Sequence, residues 1–203
     1  MGARFTFFRI FRLARWRLAA VLVIAALAAV GCTGANAVDQ TAGGDIRFVQ
    51  GSDTGQLIAA DKRKPAPAIS GTTLTGAKVD LAQFKGKVVM LNFWGSWCPD
   101  CRVEAPGIES YYTANSAKGL AVLGVNVKDT KGLASAFVAN KDLTYPSIFD
   151  PDSRVALAFR NLPPASIPAT ILIDREGRAA AGFLGPMDSA AMTKFVGSLL
   201  AET

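Results

Sequence analysis

Residues 88–101 read VVMLNFWGSWCPDC, in which a run of apolar residues leads directly into a C-x-x-C pair. A nearly continuous apolar run of this length predicts a strand buried on both faces, Val88–Trp94, at the centre of a sheet. We expect a helix to follow from Cys98 towards Asn115, which places the cysteine pair at a strand-to-helix turn. This turn decides both the fold and the chemistry that the sequence predicts.

The two cysteines of this turn have different expected environments. Cys98 lies at or before the first helical turn, where unpaired backbone N–H groups and the positive end of the helix dipole favour a thiolate over a thiol. We therefore expect Cys98 to be the exposed nucleophile and Cys101 to be the resolving thiol, set back from solvent. Pro99 suits the first helical position because it has no N–H to lose. Asp100 adds a negative charge, which opposes thiolate formation and should shift the couple towards reducing behaviour.

A C-x-x-C pair taken alone allows other roles. A structural zinc site needs four ligands, but the chain has three cysteines and no histidine. A structural disulfide suits an oxidising compartment, yet a bridge between residues three apart closes a small loop and gains little entropy. The strand-to-helix position favours a redox-active pair. We accordingly expect no metal and no cofactor besides the Cys98–Cys101 dithiol.

Outward from the central strand, the pattern predicts an α/β fold with a central mixed sheet and flanking helices. Before that strand, the alternating segments Ile69–Leu74 and Lys78–Leu81 predict an N-terminal β-hairpin extension. The expected elements after the first helix are strand Leu120–Val127, helix Lys131–Asn140, strand Ser147–Asp150, a short helix near Arg154–Arg160, strand Ala169–Asp174, strand Arg178–Gly182 and a closing helix from Asp188 to Leu200. The order is a parallel βαβ unit followed by an antiparallel pair and a last helix.

The first 32 residues have the layout of an export signal. Five arginines lie within the first 17 residues, no acidic residue precedes Asp39, and Leu18–Val30 is an uncharged apolar run. As a helix this run spans about 20 Å, short of the roughly 30 Å hydrocarbon core of a bilayer. The predicted organisation is therefore a signal peptide over 1–32, a flexible tether over 33–64 with one short strand near Ile46–Val49, and one domain over 65–203.

Cys32 accounts for the odd number of cysteines. The stretch Ala29-Val30-Gly31-Cys32 resembles the bacterial lipobox, in which the cysteine is diacylated and becomes the first residue of the mature protein, although Ala29 departs from the usual leucine. Cleavage after Ala35-Asn36-Ala37 is the alternative and would discard Cys32. The domain is thus expected outside the cytoplasm, either anchored to the outer face of the bacterial cell membrane through a lipid on Cys32 or secreted.

Charge and composition exclude several classes of function. Beyond Arg17 the chain has 17 basic and 16 acidic residues, so a basic nucleic-acid-binding face is not expected. The absence of histidine excludes Ser-His-Asp and Cys-His catalysis as well as histidine-ligated metal sites.

From about Pro65 to the C terminus, the sequence resembles the TlpA/ResA type of thioredoxin-like proteins, which are extracytoplasmic thiol-disulfide oxidoreductases. Residues 86–101, GKVVMLNFWGSWCPDC, are close to the strand and redox motif of that family. Residues 166–177, SIPATILIDREG, are similar to its second signature. The resemblance implies a thioredoxin-like fold for the domain.

The resemblance also implies roles for residues around the pair. Pro168 is expected to be cis and to face the nucleophilic sulfur, with Ile167 offering its backbone to an extended substrate and Trp97 as a further substrate contact. Asn92 stands where cytosolic thioredoxins carry a buried acid. Glu104 stands where ResA-like proteins carry an acid, and we expect it to be a buried proton-handling carboxylate; the alternative is a solvated glutamate on the helix surface.

The predicted function is therefore an extracytoplasmic thiol-disulfide oxidoreductase that reduces disulfides in exported proteins. The resemblance suggests apocytochrome c as the substrate class and implies a membrane partner that re-reduces the enzyme. An oxidase that forms disulfides, with a thiol-oxidising partner, has the same parts. A thiol peroxidase is a weaker alternative because its T-x-x-C context is missing, and an inert structural lipoprotein would be inactive in an insulin-reduction assay.

Overall fold

A computed structural model of the chain describes residues 48–50, 57–159, 162 and 166–202, all within one compact unit, Val38–Thr203. The predicted signal peptide, the lipidation site Cys32 and most of the predicted tether lie outside the described residues. Within the described ranges, no helix is both long enough and apolar enough to cross a bilayer.

The described residues form nine strands and four α-helices. The strands are β1 (Phe48–Gln50), β2 (Lys64–Pro65), β3 (Ser70–Thr72), β4 (Lys78–Asp80), β5 (Val88–Trp94), β6 (Leu120–Val127), β7 (Ser147–Asp150), β8 (Ala169–Ile173) and β9 (Arg178–Leu184). The helices are α1 (Pro99–Asn115), α2 (Lys131–Asn140), α3 (Arg154–Ala158) and α4 (Ser189–Ala201). Seven of these strands form one sheet in the order β1-β9-β8-β5-β6-β7, with β2 also paired to β9, and β3 and β4 form a separate hairpin.

Strand β5 lies at the centre of the large sheet, and all seven of its residues are buried. It pairs in parallel with β6 and antiparallel with β8. Because side chains alternate between the two faces of a strand, β5 contributes to two apolar clusters. Val88, Met90 and Trp94 pack with residues of α1, α2 and α4. Val89, Leu91 and Phe93 pack with residues of α3 and the β3–β4 hairpin.

These pairings confirm the α/β class, the mixed sheet with helices on both faces, and the N-terminal hairpin. The order of the sheet positions the site, because the parallel strands β5 and β6 end at the same edge. The loops that follow them, before α1 and α2, therefore meet there.

The sheet begins earlier in the chain than the predicted boundary at Pro65. Strands β1 and β2 both pair with β9, and Arg63 is only 7% exposed. The Arg63 guanidinium contacts Asp174 at 3.2 Å and makes a bidentate pair with Glu202 at 2.6 and 2.7 Å. Residues 57–64, predicted as part of the tether, are therefore packed against the domain. No local pattern revealed this, since the carboxylates lie more than 100 residues further along the chain.

Arg63→Ala is expected to lower the free energy of unfolding by about 3 kcal/mol, the lower end of the range for a broken buried ion pair, because it leaves the buried Asp174 without one of its cationic partners. The loss should stay at this lower end because Arg178 still contacts Asp174 at 2.8 Å. Urea unfolding would measure it. The matched control is Arg154→Ala, whose pair with Asp152 is largely solvent-exposed, and a change within about 0.5 kcal/mol is expected there. Equal losses in the two variants would contradict the structural role of Arg63.

Candidate active site

Cys98 caps the N terminus of α1. Its sulfur accepts a hydrogen bond from the backbone N–H of Cys101 at 3.1 Å, and Pro99 occupies the first helical turn. The two cysteines form a disulfide, with their Cα atoms 5.3 Å apart. Once the pair is reduced, the same N–H group and the helix dipole stabilise a negative charge on the Cys98 sulfur. Cys98 is thus the thiol that this geometry favours as thiolate.

Both cysteines are buried in this oxidised form. Cys98 is 3% exposed and Cys101 is 1% exposed, so the expectation of an exposed Cys98 is wrong here. The reason is that Cys98 joins the apolar cluster on the face of the sheet covered by α1, α2 and α4. Trp97, directly before it, is instead 52% exposed. Trp97 is thus the exposed side chain next to Cys98 in the chain, and its role in substrate binding stays a prediction.

A carboxylate from the neighbouring loop holds the turn before Cys98 in place. Asp129 follows β6 and accepts hydrogen bonds from the Ser96 backbone N–H at 2.7 Å and the Ser96 hydroxyl at 3.0 Å. It also accepts from Asn126 and from the backbone N–H of Thr130. Burial opposes ionisation of Asp129, but these hydrogen bonds outweigh it, and the pKa of the carboxyl falls below its ordinary value.

Trp97 and Ile167 converge on Gly95. The Trp97 indole donates to the backbone carbonyl of Lys128 at 2.9 Å, which fixes the ring against the β6–α2 loop. A Cβ on Gly95 would stand 2.7 Å from the indole nitrogen and 3.2 Å from the Ile167 side chain, so a larger residue has no room there. Two predicted substrate contacts thus flank the turn that leads to the cysteines.

The Ile167–Pro168 peptide bond is cis, as predicted. Phe93 pairs with Ala169 in the antiparallel β5–β8 register. The residue before Ala169, Pro168, therefore lies near the end of β5, beside the turn that carries Cys98. Its role in substrate binding stays a prediction.

Glu104 is buried at 6% exposure, so the alternative of a solvated helix glutamate is wrong. One carboxylate oxygen accepts from the Asn92 amide at 2.9 Å, and the other accepts from the backbone N–H of Met187 at 3.1 Å. The Asn92 amide also donates to the Thr170 hydroxyl at 3.2 Å. The carboxylate is thereby held between α1, β5 and the loop before α4.

The environment of Glu104 raises its pKa to about 7. Desolvation by burial is the main cause, the hydrogen bonds from Asn92 and Met187 oppose it, and the nearby charge of Asp100 adds to it. A carboxyl group with a pKa near neutrality can both accept and return a proton under physiological conditions. Glu104 lies one helical turn after Cys101, on nearly the same face of α1. Its role as the acceptor of the Cys101 proton stays a prediction.

Three residues that support this site were not predicted from the sequence. Asp129, Ser96 and Thr170 all contribute hydrogen bonds to it. Ser96 and Thr170 lie within the two signatures quoted above but were assigned no role there, and Asp129 belongs to neither signature. Asp129 had one usable signal, since a polar residue that directly follows a buried parallel strand lies at the edge where binding sites form. Over the ranges that the structure describes, no group of acidic or cysteine side chains has the arrangement of a metal site.

Comparisons with known proteins give consistent results. Residues 63–181 match the model of the AhpC/TSA family. The thiol-disulfide oxidoreductase ResA of Bacillus thuringiensis is 34% identical over 115 residues, which cover 57% of this chain and 65% of that protein, just under two thirds of its length. The thiol:disulfide interchange protein HelX of Rhodobacter capsulatus is 32% identical over 160 residues, which cover 76% of this chain and 86% of that protein.

A solved structure also resembles the described fold. It is a secreted thiol-disulfide isomerase from Corynebacterium glutamicum, with a TM-score of 0.69 and 33% sequence identity. The superposition covers 77% of this chain and 98% of that chain.

Proposed function

The chain belongs to the AhpC/TSA family and to the ResA-like thiol-disulfide oxidoreductases of thioredoxin fold, and from this membership we propose that it reduces disulfide bonds in exported proteins. The observation that carries the proposal is the cysteine pair at the N terminus of α1, with the buried Glu104 one turn beyond it. Neither an inert disulfide nor a metal site needs such a carboxylate beside it.

The reaction transfers two electrons through a mixed disulfide. The Cys98 thiolate attacks one sulfur of the substrate disulfide, forms a Cys98–substrate bond and releases the other substrate sulfur as a thiolate. Cys101 then loses its proton and attacks the Cys98 sulfur. This step forms the Cys98–Cys101 disulfide and releases the second substrate thiol, so the substrate is reduced and the enzyme is oxidised.

Two acidic residues of α1 support the proposed reducing direction. The helix N terminus stabilises the Cys98 thiolate and therefore the reduced form of the pair. A stabilised reduced form makes the couple more oxidising. Asp100 in the first turn and Glu104 when ionised oppose a thiolate, so they favour the disulfide and make the reduced enzyme a better reductant. We propose a reductase because two carboxylates oppose the Cys98 thiolate and one helix terminus stabilises it.

Equilibration with glutathione tests the direction. A reductase should show a reduction potential near that of thioredoxin, about −270 mV, and an oxidase one near that of DsbA, about −120 mV. Asp100→Asn should raise the potential by about 20–30 mV, because it removes a charge that opposes the thiolate. A value close to −120 mV for the wild-type protein would establish the oxidase instead.

The proposed substrate class is apocytochrome c, whose two haem-attachment thiols must be free. The support is the resemblance to ResA-like proteins and to a thiol:disulfide interchange protein. An oxidised peptide with the C-x-x-C-H haem-attachment motif should be reduced by the dithiol form faster than a peptide with the same spacing and no adjoining histidine. The oxidised enzyme would then need a membrane thiol donor for its re-reduction.

The proposed location is the outer face of the cell membrane, with a lipid on Cys32. Cys32→Ala should leave an uncleaved precursor or release the domain from the membrane fraction, because two acyl chains are enough for stable attachment. Membrane fractionation with mass spectrometry of the mature N terminus measures both outcomes. A mature wild-type protein that begins at Val38 would instead show cleavage after Ala37 and a secreted domain.

A further inference from the structure

A groove next to the cysteine pair has no role in the chemistry described above. It lies between the turn before Cys98 and helix α2, and we call it the α2 groove. Six of its lining residues are used below: Trp97, Arg102, Leu133, Phe137, Asn140 and Lys141. Its volume is about 300 Å³, at the low end of the range for small-molecule sites, so it has room for a side chain or two rather than a cofactor.

The walls of the α2 groove are apolar and accessible. Leu133 is 61% exposed and Trp97 is 52% exposed, although most large apolar side chains of the described chain are buried. The hydrogen bond from the Trp97 indole to the Lys128 carbonyl fixes this wall in one orientation. Rigid aromatic and aliphatic side chains exposed around a concave surface are typical of sites for protein segments.

The rim of the α2 groove is positively charged. The Arg102 guanidinium donates to the Ser96 carbonyl at 3.2 Å and lies 5.9 Å from the centre of the Phe137 ring. Lys141 follows the last residue of α2, beside Asn140. Among the ion pairs of the described residues, neither Arg102 nor Lys141 has an acidic partner. Asp129, which binds Ser96, makes its four hydrogen bonds with Ser96, Asn126 and Thr130 and none with either rim cation.

We propose that the α2 groove binds the segment of a substrate protein that flanks its reacting disulfide, and that it selects an apolar residue with an acidic residue beside it. This inference rests on the proposed function. The apolar side chain would pack between Trp97 and Leu133, and the carboxylate would face Arg102 and Lys141. The groove begins one residue before Cys98, so a chain attached to the reacting sulfur can reach it within a few residues.

Peptides that carry a leaving group on their cysteine test this selection. The probes are Glu-Leu-Cys-Leu-Glu, Lys-Leu-Cys-Leu-Lys and Glu-Gly-Cys-Gly-Glu, each with thionitrobenzoate disulfide-bonded to its cysteine. The Cys98 thiolate of the reduced full chain attacks the peptide sulfur and releases the coloured thionitrobenzoate anion, and Cys101 then releases the peptide thiol. The acidic leucine peptide is expected to react about tenfold faster than the basic one.

Three variants at two positions of the groove assign the effect to its residues. Lys141→Met should reduce the ratio of acidic to basic peptide rates, and Lys141→Glu should bring it to one or below. Leu133→Ser should remove the advantage of leucine over glycine and keep the charge preference. Each ratio compares two peptides with one enzyme, so a change in the intrinsic reactivity of Cys98 cancels.

Matched controls lie elsewhere on the domain. Leu157→Ser removes an equally exposed leucine from α3, and Lys87→Glu reverses an exposed charge at the opposite end of β5. Both should keep the wild-type ratios. Equal rates with acidic and basic peptides, unaffected by Lys141→Glu, would overturn the selection and leave the proposed function intact. A wild-type chain that reacts with every peptide no faster than free cysteine would overturn the proposed function itself.

Discussion

Cys98→Ser is expected to abolish disulfide exchange completely, whereas Cys101→Ser is expected to trap substrates as mixed disulfides. The difference follows from the positions of the two sulfurs. Cys98 caps α1 and its sulfur accepts a hydrogen bond from the backbone N–H of Cys101, so we expect Cys98 to be the thiol that becomes a thiolate and attacks. Without Cys101, the attack still occurs but nothing breaks the Cys98–substrate bond.

Non-reducing gels of the membrane and secreted fractions would measure this difference. Cys101→Ser should give extra bands that disappear on reduction, and the double variant Cys98→Ser/Cys101→Ser should give none. Cys98→Ser serves as the matched control, because it retains one cysteine of the pair. Bands found with Cys98→Ser and not with Cys101→Ser would show that the two roles are reversed. Insulin reduction should be lost in both single variants.

The central elements were predictable from the sequence because their signals are local. The apolar run Val88–Trp94 and the run Leu120–Val127 have the predicted limits in the structure, since strands buried on both faces have nearly uniform hydrophobicity. Helix α4 begins after Asp188, whose side chain accepts the backbone N–H of Ala191, as expected of a cap. These features depend on residues close together in the chain.

The contacts that complete the site depend on residues far apart in the chain, and sequence patterns did not reveal them. The Asp129 carboxylate reaches Ser96 from 33 residues away, and Met187 donates to Glu104 across 83 residues. The burial of Cys98 also depends on packing between several elements. At one position the family resemblance predicted what local patterns could not. It predicted that Glu104 is buried, whereas a charged residue is ordinarily expected at the surface.

Glu104→Gln is expected to slow the resolution of the mixed disulfide by about 10²-fold, the low end for positioned acid–base catalysis. Cys101 is 1% exposed, so solvent is poorly placed to take its proton. Asn92 cannot accept that proton as a base, and it only orients the Glu104 carboxylate through its amide. Rapid mixing of the reduced enzyme with an excess of peptide disulfide would separate the attack of Cys98 from the later resolution step.

The dependence of the resolution rate on pH distinguishes a base from a structural residue. Glu104 has a pKa of about 7, so it is protonated and unable to accept a proton well below neutrality. In the wild-type protein the resolution rate should rise with pH through about 7, and in Glu104→Gln this inflection should be absent. The substitution should alter the rate of the Cys98 attack, measured at each pH, much less than it alters the rate of resolution. Identical pH profiles in the two proteins would show that Glu104 contributes only to packing.

The contribution of Glu104 to the free energy of unfolding should fall as the pH rises, whereas the resolution rate should rise. Below the ordinary pKa of 4.5, Glu104 is neutral in both the folded and the unfolded chain. Between pH 4.5 and about 7 the folded chain retains a proton that the unfolded chain releases, so this group lowers stability as the pH rises through that window. The full cost, on the order of 3 kcal/mol, is present above pH 7.

Urea unfolding should therefore show Glu104→Gln gaining stability relative to the wild type between pH 4 and pH 8, while the same variant resolves mixed disulfides more slowly. A variant less stable than the wild type at both pH values to the same extent would contradict a raised pKa and, with it, the role of Glu104 as a proton acceptor.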